Sequence, residues 1–374
     1  MLFEPFRLGD LQLANRIVMA PMTRNRATVN HVPTPLMAEY YAQRASIGLI
    51  VTEGIGPSPD GTGYARIPSL YNAEHVAAWQ TVTSAVHAKG GKIFAQLMHT
   101  GRASHVDNLP AGARVVGSTT TALGDPIFTD TKGLQPASAP HALTEAEIAT
   151  VVIAYAHSAT LAIEAGFDGI ELHAANGYLI EQFLNANVNT RTDAYGGSAD
   201  KRNRFALEVV RACIAVIGAG RVGIRISPYG AFNQTGAFEG VDAQFIALAQ
   251  ALGTLGIAYL HVVDHSSMGA PALPATLKPA LRAAFGGTYI MSGGLEREMV
   301  ESQLTSGAAD LAAFGRSALA NPDLVERLRQ NAPLNPPDMS TFYTPGAKGY
   351  TDYPTWDASF DRASAAIVAD SVTK

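Results

Sequence analysis

YIMSGGLEREMVESQLTSGAADLAAFGR, residues 289–316, sets an apolar run (289–294), a helix-type stretch (296–307) and a second apolar run (311–316) in line. Both runs are nearly continuous in apolar residues rather than alternating, the pattern of strands covered on both faces. The unit reads as strand–helix–strand with parallel strands. Working back toward the N-terminus, the same rhythm recurs in RIVMAPM (16–22), GLIVTEG (48–54), KIFAQLMH (92–99), GIELHAA (169–175), RVGIRIS (221–227) and YLHVVD (259–264). Helix-type stretches at 74–89, 144–165, 202–217 and 241–255 separate the runs, and Thr144 with Glu147 three residues on forms a capping-box signature. Eight alternations predict a closed parallel (β/α)8 TIM barrel, a fold that can use residues 1–374 as one domain.

Two segments break the rhythm. Residues 100–143 carry Pro110, Pro126, Pro136 and Pro140 and are too long for an ordinary βα loop, which predicts a hairpin or lid after the third strand. Residues 331–374 open with Pro333, Pro336 and Pro337 and then supply Tyr343, Tyr350 and Tyr353. They predict a C-terminal wrap reaching toward the barrel mouth.

Composition narrows the function classes. Hydrophobic content of 47% and charged content of 16% describe a globular chain with ample core. A net charge of −5 without a basic stripe argues against a nucleic-acid partner. Cys213 is the single cysteine, so neither an intrachain disulfide nor a thiolate metal cage is available. Glu4, Arg7 and Asp10 stand where a signal peptide needs an apolar core. The most apolar window, 148–163, reads as too short to cross a membrane. A soluble cytoplasmic protein is expected.

Barrel active sites lie at the C-terminal ends of the strands. Those ends read Thr23, Gly54, Gln96 with His99, His173 with Asn176, Arg225, Asp264, Gly293 with Gly294, and Gly315 with Arg316. No lysine is among them, which argues against Schiff-base chemistry. Gly293 and Gly294 lead into a helix, where backbone N–H groups converge on an anion, and Arg316 adds a guanidinium for a phosphate. His173 and Asn176, three apart, would be aimed into the mouth by a helical turn and could hold a carbonyl, nitro or carboxamide oxygen, or simply stabilise a polar loop. Tyr178 is either a proton donor or a packed aromatic. Arg225, inside an apolar strand, must be paired with a carboxylate such as Glu53 or Glu171, or face a ligand that becomes anionic.

Two patterns are decoys. GAGRVG (218–223) fits the dinucleotide fingerprint but follows a helix-type stretch instead of a strand. HVVDH (261–265) offers His261, Asp264 and His265 to a metal, yet no third ligand cluster accompanies it. No metal is therefore expected. Two other classes remain open on these residues alone: a hydrolase or lyase using His173 and His261, and a non-catalytic barrel binding a phosphorylated ligand.

FEPFRLGDLQLANRIVMAPMTRNRA (3–27), TEG (52–54), AQLMHTGRASH (95–105), FDGIELHAANGYLIEQFLNANVNTRTDAYGGSADKRNRF (167–205), GIRISP (223–228), FGRSALANPDLV (314–325) and FYTPGAKGYTDYP (342–354) together resemble the old yellow enzyme family. The resemblance covers nearly the whole chain and is nearest to bacterial members that reduce nitrate esters, N-ethylmaleimide and enones. It implies an FMN-dependent ene-reductase fed by NADPH or NADH. By the resemblance, Pro21, Met22 and Gly54 border the flavin and Thr23 bonds its O4. Gln96 and Arg225 address its pyrimidine edge, and Gly293, Gly294, Gly315 and Arg316 hold its phosphate. His173 and Asn176 bind the substrate oxygen and the nicotinamide carboxamide. Tyr178 protonates the substrate α-carbon, and Tyr64 and Tyr343 line the pocket. Met98 stands where close relatives carry tryptophan, and 65–71 and 261–269 also depart from the family pattern.

Overall fold

The computed structural model describes residues 1–356. Eight strands close a parallel barrel: β1 (Ile17–Met19), β2 (Leu49–Ile55), β3 (Ile93–Leu97), β4 (Gly169–Ala174), β5 (Val222–Ile226), β6 (Tyr259–Val263), β7 (Tyr289–Ser292) and β8 (Leu311–Phe314). Closure is direct, with Ala312 to Phe314 of β8 paired with Ile17 to Met19 of β1. A helix follows each strand: α1 (Pro35–Gln43), α2 (Ala73–His87), α3 (Glu145–Glu164), α4 (Ala199–Ile217), α5 (Val241–Thr254), α6 (Leu277–Phe285), α7 (Arg297–Thr305) and α8 (Leu324–Gln330).

Two apolar layers hold this arrangement. Ile170, Leu172, Ile224, Ile226, Leu260 and Val262 face the helices, where they pack with residues such as Tyr155, Phe205 and Leu248. Their strand neighbours face inward by the two-residue period of a strand. Low in the barrel these inward residues are apolar (Val18, Leu49, Val51, Phe94, Tyr259, Ile290, Leu311), and Leu8 and Leu13 of an N-terminal hairpin complete that cluster. Higher up they are polar, and the site begins there.

The capping box at Thr144 is present, with Glu147 bonded to the Thr144 N–H at 2.8 Å and the Thr144 hydroxyl accepting from the Glu147 N–H. The window read as too short for a membrane lies inside the longer α3, whose 20 residues are long and apolar enough to cross one by length and composition. In the fold, α3 packs against α4 and buries Ile148, Val151, Tyr155, Ala159 and Ala162. GAGRVG starts at the C-cap of α4 and ends in β5, the reverse of the order dinucleotide binding requires.

Residues 100–143 contain the antiparallel hairpin Pro126–Thr129 with Gly133–Pro136. Of the segment 331–374, residues 357–374 lie outside the described residues. The part before them is tied to the end of β1. The Arg26 guanidinium donates to the carbonyls of Thr341 (2.9 Å), Phe342 (2.8 Å) and Lys348 (3.0 Å), Arg24 donates to that of Gly349 (2.6 Å), and Tyr350 stacks on Tyr40 with ring centroids 4.0 Å apart.

Candidate active site

Strand register brings the polar interior residues together. Gln96 of β3 pairs with Glu171 of β4, His173 of β4 with Arg225 of β5, and Arg225 with His261 of β6. Directly paired residues share a face, so all five point into the barrel. The Glu171 carboxylate accepts from Gln96 Nε2 (2.9 Å), the Tyr259 hydroxyl (3.1 Å) and His261 Nδ1 (2.7 Å). Burial pushes this carboxyl up, but His261 and the hydrogen bonds outweigh it and hold it below its usual range. Burial lowers the His261 pKa against the opposing pull of the Glu171 charge.

That pairing answers two readings of the sequence. His261 is engaged by Glu171, Asp264 forms an ion pair with Lys278 (2.7 Å), and the His265 ring packs edge-on against Phe232. Among the described residues no group of three His, Cys, Asp or Glu side chains is placed to hold a metal. Arg225 forms no ion pair with Glu53 or Glu171 among the described residues, though it feels the Glu171 charge. Its Nε is buried without a partner. Glu53 instead accepts from the Arg24 N–H (3.2 Å) and the Tyr41 hydroxyl (3.3 Å), and burial pushes its carboxyl up to about 7.

His173 is the inward residue one step above Glu171 on β4. Its Nδ1 accepts the Ala175 N–H (3.3 Å), which leaves the proton of the neutral ring on Nε2. Burial first, then the Arg225 charge, holds its pKa well below the ordinary value, so it acts as a neutral donor. Asn176 is not delivered by a helical turn, as expected from the spacing. His173 belongs to the strand, and Asn176 (φ 59°) and Gly177 (φ 73°) follow in left-handed backbone. The Asn176 N–H donates to Ser227 Oγ (2.9 Å) and its carbonyl accepts from Asn233 Nδ2 (2.7 Å). Tertiary bonds from the end of β5 thus override the helical tendency of three-residue spacing. The Asn176 side-chain amide has its Oδ1 buried and unpartnered.

Tyr178, at the start of a short helix (Leu179–Leu184), lies edge-on to His173 (centroids 4.9 Å apart) and to Tyr64 (6.0 Å). Burial and then Tyr64 raise its pKa well above 10, so the phenol keeps its proton. Tyr64, Tyr178 and Asn233 lie near enough to influence one another, Tyr64 raising the Tyr178 pKa and Asn233 lowering both. Ala103, Leu123 and Ile127 from the segment 100–143 pack on the two phenols. Tyr343 is largely exposed and its effect is felt at both phenols. Met98 is fully buried, and its thioether takes the space a side chain at Gly54 would need.

Pro21, Met22 and Thr23 follow β1 and are half-buried, with the Met22 sulfur beside Gly315. Gly315 caps a short helix (Arg316–Ala320), whose first residue, Arg316, is exposed. Gly293 (φ 114°) sits where a Cβ would overlap the Asp264 carbonyl, so the turn closes only around glycine. Gly293→Ala is expected to lower stability by on the order of 1–3 kcal/mol from backbone strain alone. Thermal unfolding checks this, and an unchanged midpoint would show that the turn relaxes freely.

Residues 1–335 match the NADH:flavin oxidoreductase / NADH oxidase family. The chain belongs to this family. It is 44% identical over 379 residues to 12-oxophytodienoate reductase 7 of Oryza sativa subsp. japonica, covering 94% of each chain. A probable flavin mononucleotide-dependent alkene reductase of Leishmania infantum is 43% identical over 358 residues, covering 95% of this chain and 97% of that one. Morphinone reductase superposes with a TM-score of 0.92 at 41% identity, over 96% of this chain and 97% of that one, and has also been solved in complex with tetrahydroNAD.

The expected membership of the old yellow enzyme family holds, and the chain is a flavin-dependent oxidoreductase. Its barrel mouth suits such a group. Arg225 Nε offers an unpartnered donor and His261 Nε2 an unpartnered acceptor, the two things a flavin pyrimidine edge with carbonyl and N–H groups needs.

Residue types alone did not reveal Glu171 as the anchor of Gln96 and His261, nor Ser227 and Asn233 as ties to the Asn176 turn. The carboxylates inside the apolar runs GIELHAA and LIEQFL were the available signal, since buried acids demand partners.

Proposed function

We propose that this family member is an FMN-dependent ene-reductase that draws hydride from NADPH or NADH and saturates activated C=C bonds of enones, maleimides and nitroalkenes, with nitrate esters as a further class. The observation that carries this reading is a neutral imidazole donor at the end of β4, with an amide and a protonated phenol from the turn that follows, beside a guanidinium without a partner among the described residues. When bound, FMN supplies the hydride store between nicotinamide and alkene.

The residues divide the remaining work. His173 Nε2 and the Asn176 amide donate to the activating oxygen of the substrate, which gains negative charge as the bond is reduced. The same two donors take the nicotinamide carboxamide in the other half-reaction. Tyr178 gives its proton to the substrate α-carbon, a far stronger base than phenolate once hydride has arrived at the β-carbon. Tyr64, Tyr343 and Met98 shape the pocket. Arg225 and Gln96 take the pyrimidine edge, Pro21, Met22, Thr23 and Gly54 the ring border, and Gly293, Gly294, Gly315 and Arg316 the phosphate. The segment 100–143 serves as a lid over the phenols, supported by the packing of Leu123 and Ile127 on them, and residues 331–356 as a wrap of the single barrel domain.

A mild net charge and a lone buried cysteine support a cytoplasmic enzyme of small molecules, monomer or homodimer, without nucleic-acid or membrane partners. Acid release of the flavin followed by mass spectrometry should return FMN, and FAD would contradict the phosphate assignment. Arg316→Ala should weaken FMN retention roughly tenfold through loss of a charge-assisted contact. Flavin dissociation followed by fluorescence measures it, and unchanged retention would remove Arg316 from the phosphate site.

A further inference from the structure

Glu181 is a carboxyl buried to within 1% of its surface in the helix Leu179–Leu184, and no cation pairs with it among the described residues. One carboxyl oxygen accepts the Gly177 N–H (2.5 Å), and both lie 3.1 Å from Ser227 Oγ. Ser227 Oγ in turn accepts the Asn176 N–H (2.9 Å). The two consecutive left-handed residues of the turn therefore have both backbone N–H groups tied to one side chain, one directly and one through a hydroxyl. Removing the carboxyl would leave two buried donors, the Gly177 N–H and the Ser227 hydroxyl, without their acceptor.

We infer that Glu181, through Ser227, is the positioning residue that holds the Asn176–Gly177 turn in its left-handed form and so sets the aim of the Asn176 amide and the Tyr178 phenol. Three side chains from different places meet at this turn, since Ser227 directly follows β5 and Asn233 closes on the Asn176 carbonyl from the loop beyond it. Burial lifts the Glu181 carboxyl to about 8, which favours the protonated acid near neutral pH. Glutamine is then a near-isostere, able to accept from Gly177 and donate to Ser227. Leucine matches the volume but neither bond.

This inference rests on the proposed role of Asn176, so Asn176→Ala is measured beside the Glu181 variants. The experiment uses FMN-loaded enzyme and a simple phenol as probe, with its Kd read from the flavin spectrum and thermal unfolding recorded in parallel. Glu181→Leu should weaken phenol binding about tenfold to a hundredfold while retaining FMN. Glu181→Gln should restore binding to within about twofold of wild type, and Ser227→Ala should fall between them, carrying the test should the leucine variant not fold. A folded, yellow Glu181→Leu or Ser227→Ala enzyme that binds phenol as wild type, while Asn176→Ala binds weakly, overturns the positioning role. Unchanged binding in Asn176→Ala overturns the reading of Asn176 itself, and the inference with it.

Discussion

Tyr178→Phe is expected to separate the two half-reactions. Bleaching of the flavin band by NAD(P)H requires no phenolic proton, so its rate should stay near that of wild type. Reoxidation by a simple enone should slow by roughly 10²–10⁴-fold, the usual contribution of a positioned general acid. The structure supports this role because Tyr178 lies against His173 and stays protonated through burial and the neighbouring Tyr64. A nitroalkene should suffer less, since a nitronate persists long enough to take its proton from water. Stopped-flow traces of each half decide the matter. Equal slowing of both halves would assign Tyr178 a packing role, and no slowing with an enone would place the acid elsewhere.

Replacing His173 and Asn176 together by alanine should damage both halves and the binding of phenols. In the proposed role each residue donates toward an oxygen that carries or gains charge, and losing one such donor costs on the order of 2–4 kcal/mol. His173 is suited to this because its tautomer is set by the Ala175 N–H and its ring remains neutral beside Arg225. Phenol affinity should fall by at least about 30-fold, the lower end of that range. A double variant that binds phenol like wild type would remove both residues from the substrate site.

The barrel was legible because its strands are buried on both faces and read as unbroken apolar runs. Polar residues inside those runs, Gln96, Glu171, Arg225 and His261, also marked the interior of the mouth, although the pairing of His261 with Glu171 required the β4–β5–β6 register. Helices α1, α6 and α8, of seven to nine residues, leave little room for a helical period, so the strand runs carried the reading there. The turn at Asn176 was misread because its conformation is imposed from outside, by Ser227, Asn233 and Glu181. Local spacing carries no record of contacts fifty residues away. Met98 shows the same limit: its difference from relatives was visible, but its burial against Gly54 was not.

The central claim is tested most directly by a sequential anaerobic titration of the isolated enzyme. One equivalent of NAD(P)H per chain should bleach the yellow band, and one equivalent of an enone should then restore it, yielding one equivalent of saturated ketone by chromatography. A colourless protein that FMN does not reconstitute, or a bleached enzyme that no activated alkene reoxidises, would contradict it.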